Sequence, residues 1–162
     1  MQRVKNIVGE TRDSIDLDSQ LSIIPSISYG LFHVGANVSD YPDYVEKTYD
    51  GDNHYTLDEF VVRLNNYSVV LCCRESGFID SICFEEHCFY NNMDLIGMKI
   101  FVFMRVFNKE PDSVSIDWVP TKDDNHGQNQ RCYCFYFNRL KVIQLWTWRK
   151  KIVSISVYDY KD

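Results

Sequence analysis

Four consecutive residues, Glu85-Glu86-His87-Cys88, place an imidazole and a thiol beside two carboxylates. A Cys–His pair can run nucleophilic catalysis, the imidazole drawing the thiol proton. On a strand, however, His87 and Cys88 point to opposite faces, so such a dyad requires a loop. The simpler expectation is an exposed turn between strands. Cys83 and Cys88, with four residues between them and His87 alongside, offer half of a zinc-type spacing, but no second cysteine pair repeats it. No metal site is expected. Trp146 and Trp148 share one strand face and are able to cradle a ligand, although core or interface packing is the usual role of such residues. His33, His54 and His126 are scattered, and no phosphate-binding, dinucleotide-binding, nucleophile-elbow or zinc-protease motif is present. No catalytic residue and no cofactor is expected.

The six cysteines are Cys72, Cys73, Cys83, Cys88, Cys132 and Cys134. Two are adjacent and two are separated by one residue, neither a ready disulfide pair. Without an apolar export segment near the start, buried and reduced thiols are expected.

The elements that position these residues are mostly strands. Ser68 to Arg74 and Phe78 to Phe84 flank Glu75-Ser76-Gly77, which reads as a hairpin. His87 to Tyr90 reads as a further short strand before Asn91-Asn92. Ile27 to Phe32 suggests a short strand entering a turn at Gly35. Val114 to Val119, Arg131 to Phe137, Leu140 to Trp148 and Ile152 to Tyr158 alternate or run apolar between polar breaks, and the chain is expected to close in a three-strand antiparallel meander. Two helices are expected. Thr56-Leu57-Asp58-Glu59 fits a capping box ahead of Leu57, Phe60, Val61 and Leu64 at helical spacing. Ile100, Phe103, Met104 and Phe107 share one helical face, with a buried strand as the competitor. The expectation is a single α+β domain over residues 1–162, an antiparallel sheet with the C-terminal meander and one or two packed helices.

Of 162 residues, 45% are hydrophobic and 25% charged, as in ordinary globular chains, which argues against disorder. Aromatics reach 15%. No apolar run approaches the ~20 residues of a membrane span, so no membrane association and a cytoplasmic location are expected. The net charge of -6 argues against nucleic acid as a partner. That charge is uneven: residues 131–162 carry 7 bases against 2 acids, while the acids concentrate from Asp40 to Glu59. Asp40, Asp43, Glu46, Asp50 and Asp52 there alternate with Tyr41, Tyr44 and Tyr49. Acids steer a basic partner and tyrosines anchor it, so these eight residues form the expected partner-binding site. The plain competing role is a solvated acidic loop.

Gly77-Phe78-Ile79-Asp80-Ser81-Ile82, Cys88-Phe89-Tyr90-Asn91-Asn92-Met93-Asp94-Leu95-Ile96-Gly97-Met98, and Leu145-Trp146-Thr147-Trp148 followed by Lys151 to Tyr158 together resemble the small cytosolic immunity proteins that accompany bacterial polymorphic toxins, including those of contact-dependent growth inhibition. The similarity covers about residues 77–158 and lies mainly in packing positions, so no contact residue is carried over. It implies a non-enzymatic protein that neutralises a cognate toxin domain, a nuclease above all, by covering its active site or substrate cleft. Two alternatives stay open. One is a small enzyme or ligand-binding domain using Trp146, Trp148, nearby acids or His87. The other is an adaptor or oligomer subunit that self-associates through its basic C-terminal meander.

Overall fold

Burial along Ser68–Cys73 alternates residue by residue, with Val69, Leu71 and Cys73 buried and their neighbours half-buried. A period of two belongs to a strand with one face in a core. The same alternation recurs through most of the chain. A computed structural model describes residues 23–24, 28–29, 32–49, 57–63, 67–74, 76–120, 127–137 and 141–159.

The first strands are short: β1 (Ile23–Ile24), β2 (Ser28–Tyr29) and β3 (Phe32–His33) form a three-stranded sheet. Then come β4 (Val45–Tyr49), β5 (Asp58–Arg63), β6 (Ser68–Cys73) and β7 (Ile79–Phe84), the small hairpin β8 (Phe89–Tyr90) with β9 (Met93–Asp94), and the helix α1 (Ile100–Phe107). The chain continues through β10 (Ser113–Pro120), β11 (Gly127–Phe137), β12 (Lys141–Trp148) and β13 (Lys151–Asp159).

Eight of these strands make one sheet in the order β10-β11-β12-β13-β7-β6-β5-β4, antiparallel at every step. It consists of two four-strand meanders. Each runs from an outer edge to the middle, where β7 meets β13 through Phe84↔Ile155, Cys83↔Ser156, Ile82↔Val157 and Ser81↔Tyr158. The expected C-terminal meander is therefore present, and β10 extends it to four strands.

One face of the sheet is the core. A single row, Val45–Val62–Val69–Phe84–Ile155–Leu145–Tyr133–Val114, crosses all eight strands in register. Beside it runs Phe60–Leu71–Ile82–Val157–Ile143–Phe135. Against these rows pack Phe32, Val38, Cys88 and Leu95, together with Phe103 of α1, which lies 5.1 Å from the Phe135 ring and 4.3 Å from Phe107. Each large side chain fully buried there contributes roughly 1.5–3 kcal/mol. On the opposite face the middle row reads Glu46–Val61–Val70–Cys83–Ser156–Gln144–Cys134–Ser113, mixed and half-buried through its centre.

One expected helix forms and the other does not. Ile100–Phe107 is helical, closed by Asn108 in the left-handed conformation (φ 47°). It is the only α-helix among the described residues. The segment read as a helix from Thr56 is instead the strand β5, and Thr56 and residues 64–66 lie outside the described residues. The helical spacing of Leu57, Phe60 and Val61 competed with two consecutive valines that pair with β6, Val62 with Val69 in the core row and Val61 with Val70 on the other face. Tertiary pairing outweighs a local capping pattern worth about 1 kcal/mol.

Turns match their residues. Asn91 and Asn92 (φ 46° and 62°) make the two-residue turn between β8 and β9, as expected for side chains tolerant of the left-handed region. Between β12 and β13 the same conformation falls on Arg149 and Lys150 (φ 50° and 65°), which lack that tolerance. Backbone bonds from Gly97, Ile100 and Ile152 to Ile152, Lys150 and Met98 carbonyls hold this tip against the segment leading into α1. At Gly77 (φ 79°) an added Cβ would lie 3.1 Å from Asn37 Oδ1, and the Gly77 carbonyl accepts from Val38 N at 2.8 Å.

Two predictions follow from this architecture. Gly77→Ala is expected to destabilise by about 1–3 kcal/mol, read as a lower urea midpoint with an unchanged slope. Asp112 accepts from Tyr136 N at 2.7 Å and from Lys109 Nζ at 3.1 Å, fastening the start of β10 to β11. The Tyr136 amide, then Lys109, hold its carboxyl below the ordinary 3.8. A lowered folded pKa contributes stability above that ordinary value, lost as pH falls through the folded one. Asp112→Asn should therefore flatten the loss of stability below about pH 4 in chemical denaturation at stepped pH; an unchanged acid limb would contradict the assignment.

Candidate functional site

The eight residues expected to bind a partner do not share one environment. Asp40 and Asp43 are exposed, Asp40 ending a 3-10 turn over Val38–Asp40. Tyr41 and Tyr44 are half-buried against the core, Tyr41 with its ring 5.0 Å from Phe32, and burial followed by the Asp40 charge raises the Tyr41 hydroxyl pKa. Glu46 lies on β4, 3.8 Å from Arg63. Tyr49 is the last residue of β4, and Asp50 and Asp52 lie outside the described residues. The structure thus places Asp40, Asp43 and Glu46 at or beside one edge of the large sheet.

The opposite edge is apolar. β10 turns Val114, Ile116 and Trp118 onto the core face, yet they are 50%, 62% and 62% exposed. Their ladder partners are Tyr133, Arg131 and Asn129. On the other face, Ser115 donates to Asp117 at 2.8 Å. Among the described residues no strand pairs with the outer side of the eight-residue β10, and such an edge is a ready template for a further strand. The Trp118 indole also packs over Gly127, where an added Cβ would clash with it. Tryptophan is a stiff side chain and gives up little entropy on docking. The segment from Val114 to Val119 was legible as a strand; its edge position, which leaves the apolar residues exposed, was not.

The Glu85-Glu86-His87-Cys88 run divides as well. His87 Nδ1 lies 2.6 Å from Asp94 Oδ2, while Asp94 Oδ1 accepts from Cys88 N and Ile96 N at 3.1 and 3.0 Å. The imidazole stacks on Phe89 at 5.9 Å and meets the Tyr67 ring edge-on at 5.2 Å. Asp94 therefore ties both flanks of the β8–β9 hairpin to one carboxylate. Cys88 is buried, and burial, with the Asp94 charge second, pushes its thiol pKa well up, which makes it a poor nucleophile. Glu86 accepts from Ser68 N at 3.2 Å.

Trp146 is half-buried and Trp148 exposed, the Arg149 guanidinium lying 4.2 Å from the Trp148 ring. A cavity of about 550 Å³ opens beside Trp148, lined by Glu85, Ile96, Gly97, Arg149, Lys151 and Ile152. Among the described residues no three His, Cys, Asp or Glu side chains group as metal ligands, and no helix is long and apolar enough to cross a membrane.

Among the described residues the large antiparallel sheet is open, with Asp40, Asp43 and Glu46 at or beside one edge and Val114, Ile116 and Trp118 exposed at the other. No family model, no curated protein and no solved structure matches the chain.

Gly127→Ala is expected to drive the Trp118 ring off the strand. The check is tryptophan emission with iodide quenching, against Trp118→Phe to isolate that ring's signal. Because Trp118 is largely exposed, Trp118→Ser should alter stability by only about 0.5 kcal/mol or less.

Proposed function

We propose that this is a non-catalytic binding protein that docks on a protein partner through the β10 edge. The observation that carries the reading is the exposed core-face row Val114, Ile116 and Trp118, with Trp118 packed over Gly127. Burying such side chains against a partner contributes roughly 1.5–3 kcal/mol each, enough to anchor a specific interface. The exposed Asp40 and Asp43 add a negative field suited to a basic partner. Within this class, the resemblance of residues 77–158 to immunity proteins supports the more specific role of a cytoplasmic inhibitor covering the cleft of a toxin domain, a nuclease.

The experiment is co-expression in the native host with neighbouring genes intact, capture of the tagged chain, and titration of any stoichiometric partner. A basic partner that arrests growth in the absence of this protein is expected. Ile116→Asp and Trp118→Ala should each weaken binding at least ~10-fold through faster dissociation. Asp40→Lys with Asp43→Lys should slow association and reduce its salt dependence. Affinity unchanged by all four substitutions would sink both edges as docking sites. The cavity beside Trp148 favours a second reading, a small-molecule site, for which saturable ligand binding that is lost in Trp148→Ala is the test.

A further inference from the structure

The half-buried face of the sheet brings two thiols together across the β6–β7 hairpin. Cys72 and Cys83 Sγ lie 3.9 Å apart, Ser156 Oγ of β13 lies 3.3 Å from Cys83 Sγ, and Ser81 Oγ lies 3.9 Å from it. Three side chains able to donate thus surround one sulfur. Both cysteines retain some exposure, unlike the buried Cys73 and Cys88.

The pairing register explains the approach. Cys72 faces Ser81 and Cys83 faces Val70, so the thiols are diagonal neighbours on one face. Diagonal Cα atoms in a regular ladder sit about 7–8 Å apart, just beyond the ~7 Å that a disulfide spans without backbone movement. Here the ladder slips by one residue between Cys72 and Cys73. Such a bulge bends its strand and adds local twist and slack. We propose that Cys72 and Cys83 form a thiol–disulfide exchange site, with Cys83 as the attacking sulfur and Cys72 as the resolving one, reactive toward small soluble disulfides.

Donors around Cys83 favour its charged form. The Cys72 contact first, then the Ser156 and Ser81 hydroxyls, draw its pKa down, against the opposing effects of burial and the Glu59 charge. The same contact, then burial, pushes Cys72 upward. Cys132 and Cys134 are also close, at 4.0 Å, but they lie two residues apart on one strand, and burial pushes Cys132 up to about 12. The two pairs therefore differ in both geometry and thiolate character.

The exchange balances without a metal or cofactor. The Cys83 thiolate attacks one sulfur of a small disulfide, forming a mixed disulfide and expelling one small thiolate. That thiolate takes the Cys72 proton. The Cys72 thiolate then attacks Cys83 Sγ and expels the second small thiolate. One disulfide is reduced, two protein thiols are oxidised, and the sulfurs close from 3.9 Å to the ~2.05 Å of the new bond.

The test uses folded, reduced full-length protein in glutathione buffers of increasing oxidised-to-reduced ratio, read by intact mass and peptide mapping after alkylation. The expected product has lost two hydrogens, carries a Cys72–Cys83 link, and leaves the other four thiols alkylatable. Cys72→Ser should stop at a glutathione adduct on Cys83, and Cys83→Ser should slow adduct formation at least ~10-fold. Six alkylatable thiols in the most oxidising buffer, a Cys132–Cys134 link in place of 72–83, or a persistent wild-type adduct would each overturn the proposal. The wild-type mapping decides the matter even if a variant does not fold.

Discussion

The structure depends on four residue pairs between β7 and β13. Every other pairing in the large sheet joins strands adjacent in sequence. The β7–β13 seam alone joins the two meanders, and through it Phe84 meets Ile155 and Ile82 meets Val157, making one core from two apolar faces. Loop closure must therefore be met before the long-range contacts repay it, a constraint that slows folding relative to the local hairpins.

The two faces of the sheet answer to different demands. The core face is filled by large apolar side chains in strict register, covered by α1 through Phe103 and by Leu95 and Cys88. The other face carries Ser81, Ser154, Ser156, Gln144 and thiols, with intermediate burial. Small hydroxyls and thiols there bond to one another across strands at little steric cost, which is how Cys83 acquires three neighbours able to donate. The two ends of the sheet differ likewise. β4 is short and bulged with charged residues beside it, features that discourage strand addition, whereas β10 is longer and apolar on one side.

Much of the C-terminal half was legible in the sequence because its strands alternate and their turns are short. Ile152, Ile155 and Val157 mark a buried face directly, and Asn91-Asn92 marks a turn by its own chemistry. The helix at Ile100–Phe107 was legible from its stripe. Between Asp58 and Arg63 the same reasoning failed, because Phe60, Val61 and Val62 fit either period and only the partners in β6 decide. The sheet order was also out of reach: nothing local in Phe84 or Ile155 announces that they face one another across more than seventy residues. For the candidate site, the acids were visible while the packing of Tyr41 on Phe32 was not, and Trp118 stood out as an anchor only once Gly127 was seen beneath it.

The seam also has a consequence during synthesis. β7 emerges from the ribosome well before β13, so its inner edge waits for a partner that has not yet been made. At ~5–20 residues per second that wait lasts on the order of several seconds to more than ten. During it the nascent chain displays an open strand edge beside Ile82 and Phe84, the kind of surface that holding chaperones cover. The demand for such shelter ends when β13 pairs with β7.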